Sequence, residues 1–167
     1  MQDKQITNQA DFSEIISLPT HGRILSFDLG TKKIGVAVCD EFQFTARPLP
    51  RIARRKWEIL FPMIVSLIEE YDAIAIVLGL PYEYDGSESI MSADARKLQI
   101  KLADALEIPI FLQDERLTTK SAQQDLYDRG YSMKEILERL DSEAAAIILE
   151  DFLSLKEYQT KKQKGLI

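Results

Sequence analysis

The chain is predicted to fold as one α/β domain built on a mixed sheet, an antiparallel three-strand meander followed by parallel strands, with helices on both faces. Three observations predict it. Short apolar runs at residues 24–27 and 34–39, with a third strand candidate at 43–52, follow one another on short connections, the pattern of a meander. Beyond residue 55 helical and strand patterns alternate, which demands parallel pairing through right-handed crossovers. The length of 167 residues and the apolar content of 46% suit a single well-filled core.

Residues 1–22 read as a polar extension in which 12–18 dock as one turn of helix. The first strand runs into Asp28-Leu29-Gly30-Thr31-Lys32-Lys33, so a carboxylate stands at a strand end, a glycine turn follows, and a second strand starts at Ile34. In the third strand Pro48 and Pro50 confine the segment to a sheet edge or to an irregular extension. Residues 56–71 set Ile59, Leu60, Met63, Ile64, Leu67 and Ile68 on one helical stripe, disturbed early by Pro62. Residues 74–78 are continuously apolar, as in a strand covered on both faces. A helix at 89–106 and a strand at 109–113 follow. The last helix is expected at 142–155, where Ala145, Ile148 and Phe152 share a face with Asp141, and Ala144 to Ala146 let it lie close to the sheet. The domain is thus 23–155 with a tail at 156–167, of which the Lys- and Gln-rich residues 158–167 are expected to fray.

Composition excludes several classes. No apolar run approaches the roughly 18–20 residues needed to cross a bilayer, and the first residues lack a secretory apolar stretch. A soluble, cytoplasmic protein with no membrane partner is expected. One cysteine, Cys39, makes no internal disulfide, and with His21 the single histidine there is no zinc ligand set. The net charge of −6 argues against bulk electrostatic attraction to nucleic acid. A local basic strip nevertheless runs through Arg47, Arg51, Arg54, Arg55 and Lys56 without an acid among them, and Lys32 and Lys33 flank the Asp28 turn.

In open α/β sheets chemistry gathers where parallel strands end. Two loops stand there: residues 79–87, with Glu83 and Asp85, and residues 114–119, Asp-Glu-Arg-Leu-Thr-Thr. Asp28 either holds a metal or faces a phosphate, or simply starts a turn. Asp141 either presents its carboxylate to the same rim or caps the last helix. Asp114 and Glu115, adjacent in an extended segment, point to opposite faces and do not serve one site equally.

Together Asp28-Leu29-Gly30-Thr31-Lys32-Lys33-Ile34-Gly35, Gly79-Leu80-Pro81 with Asp85-Gly86-Ser87, Asp114 to Thr119, and Asp141-Ser142-Glu143-Ala144-Ala145 resemble the successive motifs of the YqgF (RuvX) family. The resemblance spans residues 23–153. It implies a ribonuclease H-like fold, related to Holliday junction resolvases of the RuvC type, and a nuclease that matures the 5′ end of 16S ribosomal RNA. Its acidic set corresponds to Asp28, Glu115 and Asp141, expected as catalytic residues and as ligands of Mg²⁺ or Mn²⁺. Lys32, Lys33, Arg51, Arg54, Arg55 and Arg116 are expected to form a basic rim that binds substrate. The partners expected are precursor ribosomal RNA, branched DNA and ribosomal particles, with the protein a monomer or weak homodimer. The chain departs from the family in Lys32-Lys33, where Lys-Arg is usual, in lacking a lysine shortly before Asp141, and in its longer N-terminal extension. The alternatives are a resolvase acting on four-way DNA and a non-catalytic RNA- or ribosome-binding module. A kinase-like phosphate turn, which Asp-Leu-Gly-Thr also resembles, requires a second domain that 167 residues do not accommodate.

Overall fold

The structure, a computed structural model, describes residues 12–81, 85, 87–114, 124 and 127–167; for residues 12, 13 and 137–142 only the backbone is described. The elements are α1 (Phe12–Ser17), β1 (Arg23–Leu29), β2 (Lys33–Cys39), β3 (Ala46–Ala53), α2 (Trp57–Tyr71), β4 (Ala73–Leu80), α3 (Ile90–Ala105), β5 (Ile110–Asp114) and α4 (Met133–Gln163). The five strands lie in the order β3-β2-β1-β4-β5. β2 is antiparallel to β1 and β3, while β4 is parallel to β1 and to β5. The mixed sheet expected from the sequence is therefore present, with the Pro48–Pro50 strand at its edge.

Strand alternation divides the core into two halves. Leu25, Phe27 and Leu29 of β1 join Ile34, Val36 and Val38 of β2 beneath α2 and α3. Ile24, Ala37, Cys39, Ala75, Val77 and Phe111 face the opposite way, onto Ala145, Ile148, Leu149 and Phe152 of α4 and Ile15 of α1. Because side chains alternate, Asp28 follows Ile24 and Ser26 toward the α4 face. Among the described residues no helix is long and apolar enough to cross a membrane.

Helix α4 departs from expectation at both ends. It starts at Met133 because Ser132 and Glu135 form a capping box: the Ser132 hydroxyl accepts the Glu135 N–H, and the Glu135 carboxylate accepts the Ser132 N–H at 2.9 Å. Asp141 thus lies two turns inside the helix, where no free amide awaits a cap, and the N-cap reading of Asp141 is corrected. The other end continues to Gln163, through residues expected to fray. Lys156, only 5% exposed, donates to Gln43 Oε1 at 2.8 Å, and the Thr160 hydroxyl donates to the Lys156 carbonyl at 2.8 Å. Gln43 in turn donates to the carbonyls of Pro19 and Gly22, both at 3.0 Å, from a left-handed backbone position in the turn before β3. Burial pushes the Lys156 ammonium below the ordinary lysine range.

These contacts also set the direction of α4. Lys156 lies near the start of β1, whereas Ala145 lies over its far end: the buried Ser26 hydroxyl donates to the Ala145 carbonyl at 2.6 Å. The helix runs antiparallel to β1. Its N-terminal turns therefore point toward the rim where β1, β4 and β5 end.

Candidate functional site

Three parallel strands finish together at that rim. Phe27 pairs with Leu78 and Leu78 with Leu112, so Asp28 occupies the same level as Gly79 and Gln113. Asp28, half-buried, lines a cleft of about 360 Å³ with Gly30, Thr31, Lys32, Lys33, Gly35 and Arg51. Two of its positions carry no side chain. A Cβ on Gly30 would meet the Lys33 carbonyl oxygen at 2.6 Å, inside the backbone of the turn, which is why the turn needs glycine. A Cβ on Gly35 would stand 3.5 Å from both the Asp28 Cβ and the Ala145 Cβ. Both are ordinary contact distances, so Gly35 marks where β1, β2 and α4 meet at this rim.

The expected acids are distributed as follows. Asp28 is at the rim. Asp141 has its backbone in α4 one turn before Ala145, a rise of about 6 Å from a residue that contacts the Asp28 neighbourhood; its side chain lies outside the described residues. Glu115 and Arg116 also lie outside the described residues, and β5 ends at Asp114, the position immediately before them. Asp114 is two strands away from Asp28, about 9–10 Å sideways, and alternation with Ile110 and Leu112 turns it to the α2/α3 face. Asp28 and Asp114 thus occupy opposite faces. Among the described residues no three His, Cys, Asp or Glu side chains gather closely enough to hold a metal ion. Asp28 by itself suits one: a carboxylate is a hard oxygen donor of the kind Mg²⁺ and Mn²⁺ take, and the glycines beside it leave room for the waters such ions keep.

The basic residues divide into two groups. Lys32, Lys33 and Arg51 are exposed and share the cleft with Asp28. Arg54 does something the sequence did not foretell. Its Nη1 donates to the Gly30 carbonyl at 3.0 Å and its Nη2 is ion-paired with Asp94 in the first turns of α3, so it clamps the glycine turn to the helix behind it. Arg55, its neighbour, is exposed. The sequence reading also missed Ser26 as an anchor of α4, for which a lone serine in the apolar run 24–27 was the available signal.

Comparison with known proteins adds the lineage. A family model described as "RuvX: Holliday junction resolvase" matches residues 22–155. A relative from Anaeromyxobacter sp. (strain Fw109-5), named "Putative pre-16S rRNA nuclease", is 40% identical over 131 residues, covering 78% of this chain and 96% of the relative. One of the same name from Rickettsia bellii (strain OSU 85-389) is 36% identical over 149 residues, covering 89% of this chain and 96% of its own. Among solved structures, T. thermophilus RuvC in complex with a Holliday junction substrate superposes with a TM-score of 0.51 at 12% identity, over 86% of this chain and 97% of that one. At that identity the likeness establishes the fold, a mixed-sheet, ribonuclease H-like resolvase fold.

Proposed function

The chain belongs to the RuvX family, and from that premise we propose that it is a metal-dependent nuclease that hydrolyses phosphodiester bonds at the 5′ end of precursor 16S ribosomal RNA. The observation that carries the proposal is the Asp28 cleft, an acid at the rim of the parallel strands with Lys32, Lys33 and Arg51 around it. The names of the relatives support the substrate. In this reading residues 23–155 are the nuclease domain, with 1–22 and 156–167 as its extensions, and the protein works in the cytoplasm on RNA or pre-ribosomal particles.

Asp28, Glu115 and Asp141 would hold Mg²⁺ or Mn²⁺, which in a two-metal arrangement stabilises charge on the attacking and leaving oxygens and supplies a water of lowered pKa. Lys32, Lys33, Arg51 and Arg116 would bind phosphate oxygens, positioning the strand without reading its bases. Lysine offers a point charge where arginine offers a fork, so Lys32 and Lys33 would contact phosphates without bidentate geometry. The antiparallel course of α4 supports the inclusion of Asp141, and the end of β5 supports that of Glu115.

The test is incubation of purified protein with precursor 16S RNA and with a four-way DNA junction, under Mg²⁺, Mn²⁺ or chelator. Shortening of the RNA at its 5′ end with metal, and none with chelator, is the expected result. Preferential cutting of the junction would replace the RNA reading with a resolvase. Cleavage of neither substrate under any metal condition would leave only a binding module.

The two neighbouring arginines give a sharper prediction. Arg55→Ala should weaken RNA binding and reduce its salt slope by about 1, with unchanged thermal stability. Arg54→Ala should instead lower stability by about 1–2 kcal/mol, since it strips partners from the Gly30 carbonyl and Asp94. Salt-dependent binding titrations and thermal melts separate them. Identical melting curves for the two variants would refute the clamp.

A further inference from the structure

On the other face of the sheet, behind the glycine turn, the first turns of α2 and the middle of α3 border a second cleft of about 390 Å³. That volume lies within the roughly 300–1,000 Å³ range of small-ligand sites. Its floor is apolar, made of Leu29, Ile34, Leu60 and Leu98. Its rim carries Arg55, Lys97 and Lys101, and among the described residues no acid is ion-paired with any of the three. The lining contains one acid, Asp94, and Arg54 already occupies it. One wall is the Trp57 indole, stacked on Phe61 with ring centroids 4.7 Å apart, with the Lys101 ammonium 5.4 Å from its centroid.

This combination narrows the ligand. A free phosphate ion has no use for the apolar floor, and an apolar peptide has no use for three surplus cations. A group both flat and apolar at one end and anionic at the other satisfies both. We propose that the cleft binds an unpaired nucleotide, its base against the apolar floor beside Trp57 and its phosphates on Arg55, Lys97 and Lys101. Resting on the RNA-cleaving reading above, the proposal assigns that nucleotide to the substrate strand itself. The two clefts share a wall: Gly30 lines the Asp28 cleft, and its carbonyl is held by Arg54, which lines the second. A strand engaged at Asp28 reaches the second cleft by crossing the hairpin tip, where Thr31, Lys32 and Lys33 are exposed. Stacking surfaces combined with a cationic track are the general means by which single strands are held without sequence preference.

Trp57 is the single tryptophan of the chain, so its emission reports on this cleft alone. The protein is titrated in chelator, which prevents cleavage, with a fluorophore-labelled single-stranded RNA dodecamer, with an RNA duplex of the same length, and with adenosine and uridine monophosphates. Both Trp57 emission and RNA anisotropy are read. The single strand is expected to change the emission saturably, with the same midpoint as the anisotropy, and to bind more tightly than duplex or mononucleotide. Replacing Lys97 and Lys101 with Ala should weaken single-strand binding roughly tenfold and reduce the salt slope by about 1–2. Ile100→Glu, at an exposed position of the lining, should weaken it similarly by repelling phosphate. RNA binding with unchanged Trp57 emission would overturn the proposal and leave the nuclease reading intact, and absence of any RNA binding would overturn it as well. Mononucleotides binding as tightly as the strand would replace the substrate-strand assignment with a free-nucleotide site. Loss of cleavage under every metal, with the emission change retained, would remove the nuclease reading and uphold the nucleotide site.

Discussion

Asp28→Asn is expected to reduce phosphodiester cleavage by on the order of a hundredfold or more while leaving RNA affinity in chelator equal or slightly higher. Changes one step removed from a bound metal already cost roughly 10–100-fold, so loss of a ligand's charge should cost at least as much. The electrostatics agree, since unit charges 4 Å apart at an effective dielectric of about 20 interact by about 4 kcal/mol. Binding should not suffer, because the substitution removes a negative charge that stands among Lys32, Lys33 and Arg51 and repels phosphate. Asparagine matches aspartate in size, and the residue sits half-buried at a strand end, so the fold should persist. Cleavage rates in Mg²⁺ and Mn²⁺, read beside a binding isotherm, decide the matter. Equal cleavage by variant and wild type would place the chemistry elsewhere.

Phe152→Ala should destabilise the protein by about 3–5 kcal/mol, as truncations of large core aromatics do. Phe152 is 0% exposed and packs on Phe111 of β5, with ring centroids 5.1 Å apart. The site cannot easily collapse, because the small residues Ala145 and Ala146 have already brought α4 close to the sheet. For a chain of this size each kcal/mol shifts Tm by about 2–4 °C, so a fall of roughly 6–20 °C is expected in a thermal melt. The same pair ties the helix that carries Asp141 to the strand that leads into Glu115. Cleavage measured well below the variant's Tm should therefore fall less than in Asp28→Asn. A Tm within about 2 °C of wild type would mean that Phe152 does not anchor α4, because the transfer and cavity terms would both be missing.

Much of the architecture is written locally. Short apolar runs define β1 and β2, paired prolines hold β3 to the edge, and an apolar stripe marks α2, because each signal lies within a few residues of the element it specifies. The start of α4 was also local, in Ser132-Met133-Lys134-Glu135, but Asp141-Ser142 offered a rival capping signal. The earlier box prevails because it satisfies two end groups reciprocally and Ile136 then continues the buried stripe.

By itself, then, the sequence determined the mixed sheet, the order of its elements, the edge position of β3, the strand-end place of Asp28 and the family motifs. Only the tertiary structure decided which polar residues act as struts. Arg54 belongs to a run of cations that reads as a substrate-binding rim, yet its partner Asp94 is 40 residues away; Lys156 stands at the start of what reads as a tail, yet its partner Gln43 is 113 residues away. Ser26 and Ala145, separated by 119 residues, set the course of α4 over Asp28. The physical reason is common to all three. Periodicity and capping are short-range and can be read along the chain, whereas the partner of a buried charge or hydroxyl is whichever group packing brings within hydrogen-bond reach.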